Sequence, residues 1–207
     1  DGISTMGTPY FKANSVERLV ENCKSIASAA PETPYYYYHI PGMSGVTFPM
    51  RDYVNLALQE IPTFSGFKFS CQEVMDFGES SQILRDKDYV TLFSGYDQIM
   101  LQFLTFKADA AVGTTFNFSA PLYLDIRKHF FDGNFNQAAE LQEQSVRMIE
   151  VLEDTHNFMG AAKYMMKLLG FDVGPPRLPI CDLTSTQKVT VKKRMKERGV
   201  FEHLNQL

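Results

Sequence analysis

Short apolar runs alternate along the chain with longer stretches in which apolar residues recur at helical spacing. GISTMG (2–7) is the first such run. Val16, Leu19, Val20, Cys23, Ile26 and Ala27 then share one face of a helix predicted over 15–29. Asn14 or Ser15 suits its N-cap, with Glu17 and Arg18 in the first turn. YYYYHI (35–40) reads as a strand. TFPMRDYVNLALQEI (47–61) reads as a helix with Pro49 in its first turn. Three more pairs follow: GFKFS (66–70) with CQEVMDFGESSQILRD (71–86), YVTLFSG (89–95) with YDQIMLQFLTFK (96–107), and ADAAVGTT (108–115) with APLYLDIRKHFFDG (120–133). Gly78 weakens the first of these helices and Gly133 ends the last. Beyond this the pattern becomes purely helical over 136–156 and 160–169. GPPRLPI (174–180) is an extended linker, because consecutive prolines cannot continue a helix. A basic amphipathic helix over 185–199 closes the chain, its charges read as a solvated face.

Strand–helix pairs repeated five times, with no hairpin signal, predict an α/β protein with a parallel sheet and crossover helices. The sheet is either a barrel or doubly wound. The repeat divides the chain into a βα region at 1–133 and a helical extension at 134–207. Five units fall short of the eight of a closed barrel. Neither the GxGxxG nor the GxxxxGK phosphate loop is present, which argues against a nucleotide site.

Composition narrows the function classes. The 207 residues are 44% hydrophobic with a formal net charge of −4, enough for one globular domain or most of one. Mild acidity without a basic stretch argues against nucleic acid as a partner. No run of about 18 apolar residues occurs, so no membrane span is expected. DGISTMGTPY has no initiator Met and no leader pattern, and it reads as an internal cut. Cys23, Cys71 and Cys181 are far apart and odd in number, which fits reduced thiols in a cytosolic protein. His39, His129, His156 and His203 show no zinc spacing, and no cofactor or metal is expected.

Candidate chemistry comes from strand parity, since alternate side chains share a face. In GFKFS, Phe67 and Phe69 point one way and Lys68 and Ser70 the other. If the phenylalanines pack on helices, Lys68 projects into the sheet's inner side. A lone lysine there is costly unless paired or deprotonated, and a neutral amine attacks carbonyls. The alternative is a lysine near the strand end that snorkels to solvent. In YYYYH, Tyr36 and Tyr38 share one face and Tyr35 and Tyr37 the other, and Tyr38 lies nearest the carboxyl end where barrels build their sites. A phenol there either moves protons or fills core. FSGYDQ sets Gly95 and Asp97 just past a strand; Asp97 either contacts a polyhydroxyl ligand or caps the next helix. VGTTFN ends the fifth strand with hydroxyls at Thr114 and Thr115.

YYYYHIPGMSGV, GFKFS, FSGYDQ and AVGTTFNF, in this order and spacing, resemble the sialic acid (N-acetylneuraminate) lyases. These belong to the pyruvate-dependent class I aldolases that include dihydrodipicolinate synthase. GPPRLP resembles the tail of the animal enzymes, and the resemblance covers nearly the whole chain. It implies a (β/α)8 TIM barrel of which this chain holds strands 4–8 and the C-terminal helices, with the first three βα units missing. Full length, the resemblance implies a cytoplasmic homotetramer acting on sialic acid and pyruvate. Carried over by position, Lys68 is the Schiff-base lysine and Tyr38 the proton shuttle. Ser70, Gly95, Asp97, Gln98 and Thr114 fall at substrate-contacting positions.

Departures from the family pattern bear on specificity. Gln98 stands where the lyases carry Glu, and Thr114 where they carry Ser. Met43 stands where dihydrodipicolinate synthases carry an Arg for a second carboxylate, which favours a neutral sugar aldehyde as the partner of pyruvate. The Gly-Ser/Thr-Thr-Gly-Glu loop that cradles the pyruvate carboxylate is not in this sequence. Two alternatives to a lyase follow: another pyruvate aldolase of the superfamily, and an N-terminally truncated, non-catalytic product. Five strands leave two sheet edges, so the 207-residue chain by itself is expected to be poorly stable and inactive. Soluble expression with lyase activity would overturn that expectation.

Overall fold

Strand order decides between the two architectures that βα alternation allows. The computed structural model describes residues 2–205 and divides into two compact units, one ending at Val112 and the other beginning at Gly113. In the first unit β1 (Ile3–Met6), β2 (Tyr35–His39), β3 (Phe64–Phe69), β4 (Thr91–Ser94) and β5 (Ala110–Ala111) are all parallel and lie side by side in chain order. A doubly wound sheet reverses its order at a switch point. This one does not, and it has the order of a barrel wall.

The connections are α1 (Val16–Ala27), a single turn α2 (Pro41–Ser44) followed by α3 (Met50–Glu60), α4 (Val74–Leu84), and a 3-10 turn (Asp97–Ile99) running into α5 (Met100–Thr105). Ser15 caps α1 through the Arg18 N–H, and Pro49 immediately precedes α3. The turn α2 is not apparent in the pattern, because Pro-Gly-Met-Ser carries no periodicity.

The two sheet faces differ. Tyr35, Tyr37, Phe67, Phe69 and Leu92 point to the helices and are buried, packed against Cys23 of α1, Tyr53 and Ala57 of α3, Phe77 of α4 and Phe103 of α5. Tyr37 stacks on Tyr53 with ring centroids 4.2 Å apart, and Phe69, Phe77 and Phe103 meet edge to face. Each fully buried large apolar side chain contributes about 1.5–3 kcal/mol, so this aromatic layer is the chief source of stability in the unit. On the other face Tyr36, Tyr38, Lys68, Ser70 and Phe93 are only half-buried. Parallel sheets commonly bury both faces; here the inner one remains partly open.

His39, on the packed face, is 4% exposed and stacks on Phe69 with ring centroids 4.9 Å apart. Burial disfavours its cation and pushes its pKa down to about 4 from 6.5. The folded state therefore keeps this ring neutral, whereas the unfolded chain takes up a proton below pH 6.5. Stability from His39 is present above pH 6.5 and is lost as pH falls toward 4. The loss amounts to about 3 kcal/mol. Urea unfolding at pH 7 and pH 4.5 should show a smaller acid-induced loss for His39→Phe than for the parent. Equal losses would show that this ring does not carry the effect.

In the second unit α6 (Phe116–Phe131), α7 (Phe135–Glu153), α8 (Phe158–Leu168) and α9 (Ser185–Glu197) precede a 3-10 turn at Val200–His203. Ile126, Met148, Leu152, Ala161, Met165, Val191 and Met195 form the core. The helix expected from Ala120 begins one turn earlier, and the chain kinks at Ser119, two residues before Pro121. At the kink the Ser119 hydroxyl donates to the His203 carbonyl at 2.7 Å and the Ala120 N–H to Asn205 Oδ1 at 2.8 Å. Pro121 leaves the Asn117 carbonyl without its helical N–H, and Asn205 Nδ2 donates to it at 2.9 Å. A Thr184–Gln187 capping box starts α9, and its Lys188, Lys193, Arg194 and Arg198 pair with Asp182, Glu197, Asp154 and Glu150. Residues 171–184 form no helix or strand. By connectivity α6 completes the fifth βα unit and suits a boundary at 133. By packing it goes with α7, so the compact units divide at Val112. Among the described residues no helix is long and apolar enough to cross a membrane.

Candidate active site

A bulge places the central pair. β2 and β3 start in register with Tyr35 opposite Phe64, but the next pair is Tyr36 opposite Gly66, so Ser65 is left over. The extra residue reverses the parity of β3: Phe64 and Phe67 both face the helices although three positions separate them. Lys68 consequently emerges on the inner face, directly opposite Tyr38. Without the bulge, Lys68 would share the face of Phe64. Gly66 makes this possible with φ at +135°, in a region L-side chains rarely adopt.

The side chains then converge. Lys68 Nζ donates to Tyr38 Oη at 3.2 Å and lies 4.2 Å from the centre of the Tyr38 ring. Ser70 Oγ donates to the same oxygen at 3.4 Å. One phenol oxygen thus receives an amine and a hydroxyl, and all three groups stand at the carboxyl ends of adjacent strands. The backbone ladder continues just past those ends, with Ser70 N to the His39 carbonyl and Gly95 N to the Phe69 carbonyl, both at 2.8 Å. Tyr36 sits lower on the same face, edge to face with Phe93 at 5.7 Å, and forms an apolar layer beneath the polar trio.

The loops above are pinned from outside. The Ser44 hydroxyl donates to the Ile40 carbonyl and accepts from the Val46 N–H, which closes the turn after Tyr38. Farther along, the Asp76 carboxylate on α4 accepts from the Met50 N–H at 2.8 and 2.9 Å and so caps α3 from a neighbouring helix. Burial raises the Asp76 pKa, while the two N–H groups of Met50 and Arg51 oppose that shift. Gln72 Nε2 donates to Tyr96 Oη at 2.7 Å and links the loops after β3 and β4.

Of the sequence-derived candidates, Tyr38, Lys68 and Ser70 are in mutual contact, and Gly95 adjoins them. Asp97 is buried and opens the 3-10 turn after β4, whose cap is Tyr96 and not Asp97; half-buried Gln98 follows in the same turn. Met43 lies in α2 and is 72% exposed. Thr114 belongs to the second unit, just before α6, where its carbonyl accepts from Asn117. Thr115, beside it, is buried and bonds Tyr123 Oη at 2.5 Å, a packing role. Sequence reasoning missed the Gly66 bulge, although an isolated Gly in a strand pattern is its recognised sign. It also missed the Asp76 cap, which no local pattern announces.

An amine beside a phenol on the inner face of a parallel α/β sheet is an arrangement for carbonyl addition with local proton transfer. Known proteins share the frame. The chain is 32% identical over 195 residues to an N-acetylneuraminate lyase of Danio rerio, covering 93% of this chain and 63% of that protein. Among solved structures, Proteus mirabilis N-acetylneuraminate lyase is similar with a TM-score of 0.85 and 34% identity, over 94% of this chain and 65% of that one. The sialic acid aldolase of Aliivibrio salmonicida superposes with a TM-score of 0.87 and 33% identity, over 98% of this chain and 66% of that one. The chain therefore spans just under two-thirds of these relatives, whose barrels share its parallel sheet. Residues 1–198 match the model of the dihydrodipicolinate synthetase family, and the chain belongs to that family.

Proposed function

We propose that the protein is an N-acetylneuraminate lyase that cleaves sialic acid to N-acetylmannosamine and pyruvate through a Schiff base on Lys68. The observation that carries this reading is Lys68 Nζ at 3.2 Å from Tyr38 Oη. The names of the relatives supply the substrate. The Lys68 amine adds to the C2 ketone of the open-chain sugar acid, and loss of water leaves an iminium that draws electrons from C3. Tyr38, with the substrate carboxylate, takes the C4 hydroxyl proton. The C3–C4 bond then breaks, releasing the amino sugar and leaving an enamine. Protonation at C3 and hydrolysis return the amine and free pyruvate. Ser70 supplies a substrate-contacting hydroxyl, which lies 3.4 Å from Tyr38 Oη. Gly95, Asp97 and Gln98 meet the hydroxylated tail, and Thr114 offers a further hydroxyl. Full length, the protein acts as a cytoplasmic homotetramer.

Borohydride reduction of the full-length polypeptide in the presence of pyruvate tests the reading. The expected product is one covalent adduct, mapped to Lys68, and an adduct elsewhere rejects the mechanism. Gln98 and Thr114 support a second reading, a pyruvate aldolase with a different aldehyde partner. Turnover of N-acetylneuraminate compared with other 2-keto-3-deoxy acids separates the two.

A further inference from the structure

We infer that Gly95 is a positioning residue for Lys68, acting by having no side chain. The inference rests on the proposed role of Lys68 and gives Gly95 a different task from contact with the hydroxylated tail. The Gly95 N–H is bonded to the Phe69 carbonyl at 2.8 Å, which holds its Cα against the end of β3. A Cβ built there stands 2.1 Å from Ser70 Oγ, 2.8 Å from Lys68 Cε and 3.1 Å from the Phe69 carbonyl oxygen. The backbone of Gly95 is not in the left-handed region, so the demand for glycine is steric and not conformational. The two tightest obstructions are side-chain atoms, which move at low cost, whereas the carbonyl needs to yield by only a few tenths of an ångström. Both belong to the groups that donate to Tyr38 Oη. Any side chain at position 95 therefore leaves the fold standing and pushes both donors off the phenol together.

Gly95→Ala in the full-length polypeptide tests this, with pyruvate as the probe because it has no hydroxylated tail. Borohydride trapping of pyruvate should slow by about 10²-fold, the scale of an ångström of misplacement at a reacting group. The circular dichroism spectrum should be unchanged. Adding Ser70→Gly removes the nearest obstruction and should recover part of the trapping rate. Trapping at the parental rate, with a raised KM for N-acetylneuraminate alone, would overturn the inference in favour of tail contact. Loss of the fold would overturn it too. If the parent itself fails to trap pyruvate, the functional reading falls, and a crystal structure of Gly95→Ala decides this point. Lys68 Nζ beyond hydrogen-bond reach of Tyr38 Oη supports the positioning role of Gly95, and an unchanged separation rejects it.

Discussion

Lys68→Met should abolish pyruvate trapping and lower turnover by on the order of 10⁵-fold or more, the range seen when a covalent nucleophile is removed. Methionine keeps the length and apolar body of the lysine stem, so the inner face stays filled. What disappears is the amine, and with it the iminium that accepts the electrons of the C3–C4 bond. Without the lysine, the side-chain partner that remains at Tyr38 Oη among the described residues is the Ser70 hydroxyl, which forms no iminium. Tyr38→Phe should behave differently. The lysine remains, so pyruvate is still trapped, while cleavage of the sugar acid slows by about 10²- to 10⁴-fold for loss of a positioned proton carrier. Parallel losses of trapping in both variants would mean that Tyr38 serves the lysine and not the substrate. Residual turnover near the parental level in Lys68→Met would end the Schiff-base reading.

Gly66→Ala is expected to be the most damaging single-methyl change in the first unit. A Cβ at this position lies 2.0 Å from the Thr91 carbonyl oxygen and 2.9 Å from the Thr91 carbonyl carbon. These are backbone atoms of β4, whose partner residues are fixed by the ladder, so the methyl cannot be accommodated by a rotamer change. To this clash is added a φ of +135°, which alanine rarely adopts. Strain of about 1–3 kcal/mol and overpacking of a similar size sum to about 4 kcal/mol. That is a large share of a typical stability of about 5–15 kcal/mol, and it corresponds to a fall in Tm of roughly 10 °C. Gly133→Ala is the control. Its φ is +77° but its Cβ meets nothing within 4 Å, so only the conformational cost of about 1–2 kcal/mol applies. Equal destabilisation of the two variants would show that the Thr91 contact yields. Because the bulge sets which way Lys68 faces, Gly66→Ala should also lose pyruvate trapping under conditions where the protein remains folded.

The sequence by itself determined the succession of elements, because burial on one face of a strand or helix imposes a period that any reader of the chain can find. A cap at Asn14 or Ser15, of which the structure uses Ser15, the buried Tyr35 and Tyr37, and the opposite parity of Lys68 to Phe67 and Phe69 all follow from that local chemistry. So does the resemblance, since its motifs are contiguous. Parity left Tyr36 and Tyr38 on one face, and position along the strand favoured Tyr38; that Tyr38 stands directly opposite Lys68 is a matter of register. Register depends on how many residues β3 spends before pairing, and the unpaired Ser65 is a matter of hydrogen bonds between strands, not of pattern within one. The barrel-like strand order, the Asp76 cap on α3 and the crowding of Ser70 and Lys68 against Gly95 likewise join residues remote in sequence. Periodicity records which residues avoid water, whereas the meeting of an amine, a phenol and a bare glycine depends on distances that only the folded sheet sets.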